Sequence, residues 1–152
     1  MKAVIIYATN SGSTYQAAHL IADGLEKNGY TCRVVNAADA KQTEFSGADL
    51  CLLGSNSWEW IQGKKHLEGQ LNDQMRLFLD RIDRRSLAGH SFALFACGDS
   101  SYTVFCGAAD HLESFVKEVN GKLVTPTLRI DKFYYDLEKN RPLVSEWTER
   151  IR

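Results

Sequence analysis

Six consecutive residues, Thr9, Asn10, Ser11, Gly12, Ser13 and Thr14, place four hydroxyls, one amide and one glycine between two differently patterned stretches. The apolar run Ala3, Val4, Ile5, Ile6 before them reads as a buried strand, and the amphipathic residues 15–25 after them read as a helix. A strand, a hydroxyl-rich turn and a helix start together make an anion site. The first N–H groups of a helix lack internal partners, and the helix dipole favours negative charge there. Gly12 lets the backbone approach the anion and tolerates a left-handed conformation. A phosphate suits such a turn. The same hydroxyls equally suit a helix N-cap, and the turn alone does not decide between the two. It has no lysine and neither the GxxxxGK[ST] nor the GxGxxG pattern, so it is neither a triphosphate loop nor a dinucleotide fingerprint.

Two further segments carry unusual residues. Asn56, Ser57, Trp58, Glu59 and Trp60 follow one apolar run, and residues 98–107, containing Gly98, Asp99, Tyr102, Phe105 and Cys106, follow another that ends at Cys97. If all three segments lie at one end of one sheet, a planar ring system fits between Trp58 and Tyr102, with its phosphate at residues 9–14. Exposed aromatics on loops are otherwise ordinary surface features.

The elements that must position these segments alternate strand with helix. Strands are expected over Lys2–Ala8, Thr31–Asn36, residues 49–54, 91–97 and 122–125, the last closed by Pro126 with residues 128–130 continuing extended. Helices are expected over residues 13–28, with Gly29 at the C-terminal left-handed position, from Leu71 through Ile82, and from Ala108 to near Gly121. The stripe Leu143, Val144, Trp147, Ile151 marks a last helix with Pro142 in its first turn. Residues 56–70 are expected as a long polar and aromatic loop. Strands separated by helices predict a doubly wound five-stranded parallel sheet in a three-layer α/β/α arrangement. Ligands of such sheets bind outside the carboxyl ends of the strands, where the strand order reverses.

Composition narrows the function. At 152 residues the chain is expected to be one domain, residues 1–152, and its 44% hydrophobic and 24% charged content is ordinary for a globular protein. A net charge of −1 gives no steering towards nucleic acid or anionic membrane, and no long apolar segment occurs. Four cysteines without CxxC spacing read as reduced packing residues in a cytoplasmic protein, and the four histidines show no metal-ligand spacing.

The blocks Thr9 to Thr14, Gly54-Ser55-Asn56-Ser57-Trp58, and Cys97 to Tyr102 with Phe105-Cys106-Gly107-Ala108 resemble the flavodoxins of short-chain type over nearly the whole chain. The resemblance implies the flavodoxin-like strand order 2-1-3-4-5, bound FMN, and low-potential one-electron transfer by a monomer in transient complexes with redox proteins, without substrate turnover of its own. By motif position Thr9, Asn10, Ser11, Gly12, Ser13 and Thr14 would hold the phosphate, with Trp58 on the inner ring face and Tyr102 on the outer. Asn56, Ser57, Glu59, Cys97, Gly98, Asp99, Phe105 and Cys106 would lie near the ring. Trp60 is an alternative to Trp58 as the stacking ring. An FMN-dependent quinone or small-molecule reductase on the same fold is the competing reading, with residues 59–70 the place for its substrate. The end of the chain at Arg152 without a linker favours a free-standing protein over a reductase domain. A receiver domain is set aside because Thr9-Asn10 and Ser55-Asn56 stand where its acidic residues belong.

Two departures from the family pattern stand out. Glu59 follows the tryptophan where glycine is usual, at a peptide that in the family flips to accept from flavin N5–H. Either the flip is hindered or the longer segment supplies another acceptor. Flavodoxins are also strongly acidic, whereas this chain is nearly neutral and carries Gly63-Lys64-Lys65-His66 beside the expected flavin. That segment is either a solvated surface or a means of softening the negative field at the ring.

Overall fold

The computed structural model describes the backbone of residues 1–62 and 65–152 and the side chains of residues 1–59 and 67–152. The expected roles of Lys64, Lys65 and His66, and of Trp60 as a stacking ring, lie outside the described residues and side chains.

Strand β1 (Lys2–Ala8) is buried from Ala3 onwards, as expected of a strand covered on both faces. Helix α1 (Ser13–Lys27) follows, turning its Ala17, Ala18, Ile21, Ala22 and Leu25 inward. It ends at Asn28, and Gly29 takes the expected left-handed conformation, φ 89°. The remaining elements are β2 (Thr31–Asn36), β3 (Leu50–Gln62), β4 (Lys65–Leu71), α2 (Asp73–Asp80), β5 (Ser91–Gly98), α3 (Gly107–Glu118), β6 (Lys122–Leu123), β7 (Leu128–Asp131) and α4 (Leu137–Glu149).

The parallel sheet runs β2-β1-β3-β5, with both β6 and β7 paired to β5. The expected order is therefore present, with its fifth position occupied by two short strands. Val124 N–H still bonds Phe92 O (2.9 Å), but Pro126 has no N–H to give, and its carbonyl accepts from Trp147 Nε1 of α4 at 2.8 Å. Successive residues of β1 feed different cores. Ala3, Ile5 and Tyr7 pack with α1 and α4, while Val4, Ile6 and Ala8 pack with Met75, Phe78 and Leu79 of α2 and Leu112, Phe115 and Val116 of α3.

Three expectations need correction. Residues 56–70 form no long loop. Strand β3 runs on past the sheet and pairs antiparallel with β4 from Ser57↔Leu71 to Gln62↔Lys65, bulging between Trp58 and Trp60. The run Trp58-Glu59-Trp60-Ile61 has the aromatic and β-branched content that strands favour, and its interleaved polar residues obscured this. Leu71 therefore closes β4, and α2 starts two residues later behind Asn72, whose side chain accepts from Gln74 N–H at 2.9 Å. Pro142 lies inside α4 and not in its first turn, since Asp136 starts the helix by accepting from Lys139 N–H.

The hairpin is pinned to α3 by two glycines. A Cβ on Gly107, the first residue of α3, would stand 2.4 Å from Gly69 O and 2.6 Å from Gly69 Cα. Gly69 itself, at φ 69°, takes a conformation that disfavours side chains. Because the obstruction at Gly107 is backbone, Gly107→Ala is expected to destabilise the fold by about 1–3 kcal/mol, read as a lowered urea midpoint with unchanged slope.

Candidate functional site

In the turn after β1 the hydroxyls do not cap the helix among the described residues. Gly12 occupies the N-cap of α1 at φ 92°, and among the described residues no side chain caps the helix. Thr9 Oγ1 accepts from Gly12 N–H (2.9 Å) and so shapes the turn itself. The helix's first internal bond is Gln16 N–H to Gly12 O (3.0 Å), which leaves the N–H groups of Ser13, Thr14 and Tyr15 unpartnered among the described residues. Thr14 Oγ1 is buried and, among the described residues, has no nitrogen or oxygen hydrogen-bond partner, with the Cys97 thiol beside it. A cluster of hydroxyls that caps nothing, beside unpaired donors, fits an anion and leaves the N-cap reading without support.

This turn opens onto a cleft of about 640 Å³ whose lining includes Asn10, Ser11, Ser13, Asn56, Trp58 and Tyr102. Ser57, Glu59, Cys97, Gly98 and Asp99 also line it. Trp58 is 40% exposed and Tyr102 56% exposed, a large apolar surface for a protein to leave open. Thr9, Gly12, Thr14, Phe105 and Cys106 are not part of its wall. Cys106 is the buried N-cap of α3, at φ 50°, and lies beneath Gly98, where a Cβ would meet its Sγ at 2.8 Å.

Several lining side chains have structural partners. The buried Asn72 donates to Asn56 Oδ1 (2.9 Å) and Asn10 Oδ1 (3.3 Å), and its N–H bonds Ser55 Oγ (3.1 Å), so one amide joins the ends of β1 and β3 to the start of α2. Ser57 Oγ accepts from Ala108 N–H (3.1 Å), which takes up one of the free donors of α3.

The loop after β5 is tied to the turn after β7. Asp131 accepts from Ser100 N–H (2.8 Å) and Ser100 Oγ (2.7 Å), and Lys132 N–H bonds Gly98 O (2.9 Å). These donated bonds hold the Asp131 carboxyl below the usual carboxylate range. Asp99 is lowered in the same way, by the hydroxyl and N–H of Ser101 and then by Lys132, whose Nζ is 3.9 Å away. Burial pushes the Cys97 thiol up to about 12, against a small opposing effect of the Thr14 hydroxyl. Burial likewise pushes Cys106 up to about 12. Both are therefore protonated packing thiols at neutral pH.

Sequence reasoning missed two parts of the wall. Glu68, Gly69 and Val104 line the cleft from the hairpin side, and Lys132, Phe133, Tyr134 and Tyr135 line it from the turn between β7 and α4. That turn follows the carboxyl end of a strand, and the aromatic run Phe133-Tyr134-Tyr135 was the available signal.

The arrangement suits a phosphorylated, planar, partly apolar ligand. The buried unpartnered Thr14 hydroxyl and the open N–H groups fit the phosphate of FMN, and the exposed Trp58 and Tyr102 fit its ring. Among the described residues no helix is long and apolar enough to cross a membrane, and no group of His, Cys, Asp and Glu could hold a metal ion.

Comparison with known proteins agrees. A family model described as Flavodoxin matches residues 5–140. A flavodoxin of Maridesulfovibrio salexigens is 30% identical over 131 residues, 86% of each chain. A flavodoxin of Nitratidesulfovibrio vulgaris is 30% identical over 152 residues, covering 97% of this chain and 95% of its own. The crystal structure of oxidised flavodoxin 2 from Bacillus cereus superposes with a TM-score of 0.83 at 29% identity, over 99% of this chain and 97% of that one. With nearly its whole length matched, and with a cleft whose donors and aromatics fit the cofactor, the chain belongs to the flavodoxin family of FMN-binding electron-transfer proteins.

Proposed function

We propose that residues 1–152 form a single FMN-binding domain that acts as a low-potential one-electron carrier between redox proteins, working as a monomer in the cytoplasm. The observation that carries this reading is the uncapped start of α1 with its orphaned Thr14 hydroxyl, opening onto a cleft bordered by two exposed aromatic rings.

In this reading Thr9 to Thr14 hold the phosphate, and Trp58 and Tyr102 cover the two faces of the ring system. Asn56, Ser57, Glu59, Cys97, Gly98 and Asp99 border the ring, while Phe105 and Cys106 support the loop behind it. Bound FMN supplies the electron-carrying chemistry, and the chain tunes it by stacking, hydrogen bonding and charge. Trp58 and Tyr102 exclude water from the ring faces and place electron-rich surfaces against it. Asp99, ionised at neutral pH, adds negative charge nearby. Each of these disfavours negative charge on the fully reduced ring and lowers its potential. The opposing influence among the described side chains of the cleft is Lys132, paired with Asp99.

Glu59 stands at the bulge of the hairpin and is not among the residues of positive φ. A backbone flip at the following peptide would carry a side-chain penalty that glycine avoids. One observation favours the reductase as a second reading. A separate cleft of about 430 Å³ lies against the hairpin, lined by Trp58, Leu67, Leu71, Arg76 and His111 among others, and shares Trp58 with the first.

The reading is tested by adding FMN to the apoprotein and recording its absorption and fluorescence. Stoichiometric uptake is expected, and Trp58→Ala and Tyr102→Ala should each weaken it about tenfold. A protein that takes up no FMN would sink the proposal. Glu59→Gly is expected to favour the first one-electron step over the second by about 1 kcal/mol, visible in a redox titration as a wider gap between the two potentials. Purified protein given NADPH and a quinone is expected to show no steady turnover alone. Sustained turnover would establish the reductase instead.

A further inference from the structure

We infer that Tyr134 recognises the phosphate: its hydroxyl donates to the phosphate of FMN and makes the site discriminate FMN from flavins that lack one. The inference rests on the phosphate position proposed above and assigns a role to a residue outside the turn. Tyr134 lies in the turn between β7 and α4, far along the chain from residues 9–14, yet a Cβ placed on Gly12 would stand 2.8 Å from the Tyr134 hydroxyl oxygen. The phenol therefore lies against Gly12 at the N-cap of α1, next in the chain to the N–H groups of Ser13, Thr14 and Tyr15, which have no partner among the described residues.

Its direction is fixed. The ring meets Phe133 edge-on, with centroids 5.6 Å apart and planes at 75°, and Phe133 is buried in the core shared with α4. The turn is held from below by the buried Asn140, whose Nδ2 donates to the carbonyls of Asp131 (3.0 Å), Lys132 (3.4 Å) and Phe133 (3.4 Å). Lys132, at φ 49°, and the bond from Tyr135 N–H to Lys132 O (3.0 Å) complete it. Tyr134 itself is 46% exposed, and among the described residues its hydroxyl has no hydrogen-bond partner. A directed hydroxyl without a partner, held against an anion turn, is a donor waiting for an acceptor.

The chemistry of the turn gives that donor weight. No lysine or arginine occurs between Lys2 and Lys27, so the turn offers only neutral donors to a phosphate of nearly two negative charges. A hydrogen bond from a neutral O–H to a charged acceptor contributes more than one between neutral groups. An aromatic wall alone would act differently: it would serve the flavin ring and be indifferent to the phosphate.

Fluorescence titration of the apoprotein with FMN and with riboflavin, for the unmodified chain and for Tyr134→Phe, separates these possibilities. The expected result is an FMN Kd raised about tenfold with the riboflavin Kd unchanged. Equal weakening of both ligands would make Tyr134 a ring contact and overturn the inference, and so would no change in either. The phosphorus resonance of bound FMN supplies a second readout, expected to move on Tyr134→Phe while the flavin absorption spectrum stays as it was. An unmoved resonance would also overturn the inference. Should the unmodified chain bind riboflavin as tightly as FMN, the phosphate turn itself fails and the role of Tyr134 with it. FMN preferred by the unmodified chain and equally by Tyr134→Phe would overturn the role of Tyr134 alone.

Discussion

A helix that begins without a side-chain cap leaves its hydrogen bonding incomplete, and at α1 the whole cleft is arranged around that incompleteness. Gly12 holds the N-cap in a left-handed conformation, Thr9 accepts from its N–H across the turn, and the N–H groups of Ser13, Thr14 and Tyr15 have no partner among the described residues. Unpaired donors near the interior are costly unless something answers them. The placement of β1 between β2 and β3 puts this unanswered helix start where the strand order reverses, the position at which open parallel sheets bind ligands.

The other walls are fastened to that point by specific bonds. Asn72 links the turn to the end of β3, the Asp131 carboxylate links the β5 loop to the turn before α4, and the Gly69–Gly107 contact fixes the hairpin on α3. Each tie joins loops from different strands, so the cleft is shaped by the sheet's topology as much as by its own residues. The loop residues are thereby preorganised, which lowers the entropic cost of ordering them on binding.

Much of this was legible in the sequence, and the reasons differ by residue. Strands β1 and β2 appear with the expected bounds because continuous or alternating apolar runs between turn residues have few other solutions. The hydroxyl-rich turn was visible from its composition, but whether its hydroxyls capped the helix depended on backbone geometry. The hairpin was hidden because its strands mix aromatic, charged and glycine residues, and antiparallel pairing beyond the sheet edge leaves no periodic trace. Pro142 misled because proline is expected in a first turn, whereas the Asp136 cap starts α4 at Leu137, five residues before it. Tyr134 and Tyr135 were overlooked because the strand ahead of them is only four residues long and comes after an interruption. Asn72 gave no signal beyond a common capping residue, since its second role is a contact between segments distant in sequence.

The absence of basic residues from the turn has an electrostatic consequence. A phosphate bound by lysine or arginine is neutralised where it sits, and the interior then experiences little of its field. A phosphate bound only by amides and hydroxyls keeps its charge, and the protein beside a half-buried helix start transmits that charge further than water would. In the proposed complex the ligand would carry its own negative potential into the cleft. A chain of net charge −1 would then need few surface carboxylates to make the ring reluctant to accept electrons. The cofactor itself would supply part of the negative field at the ring.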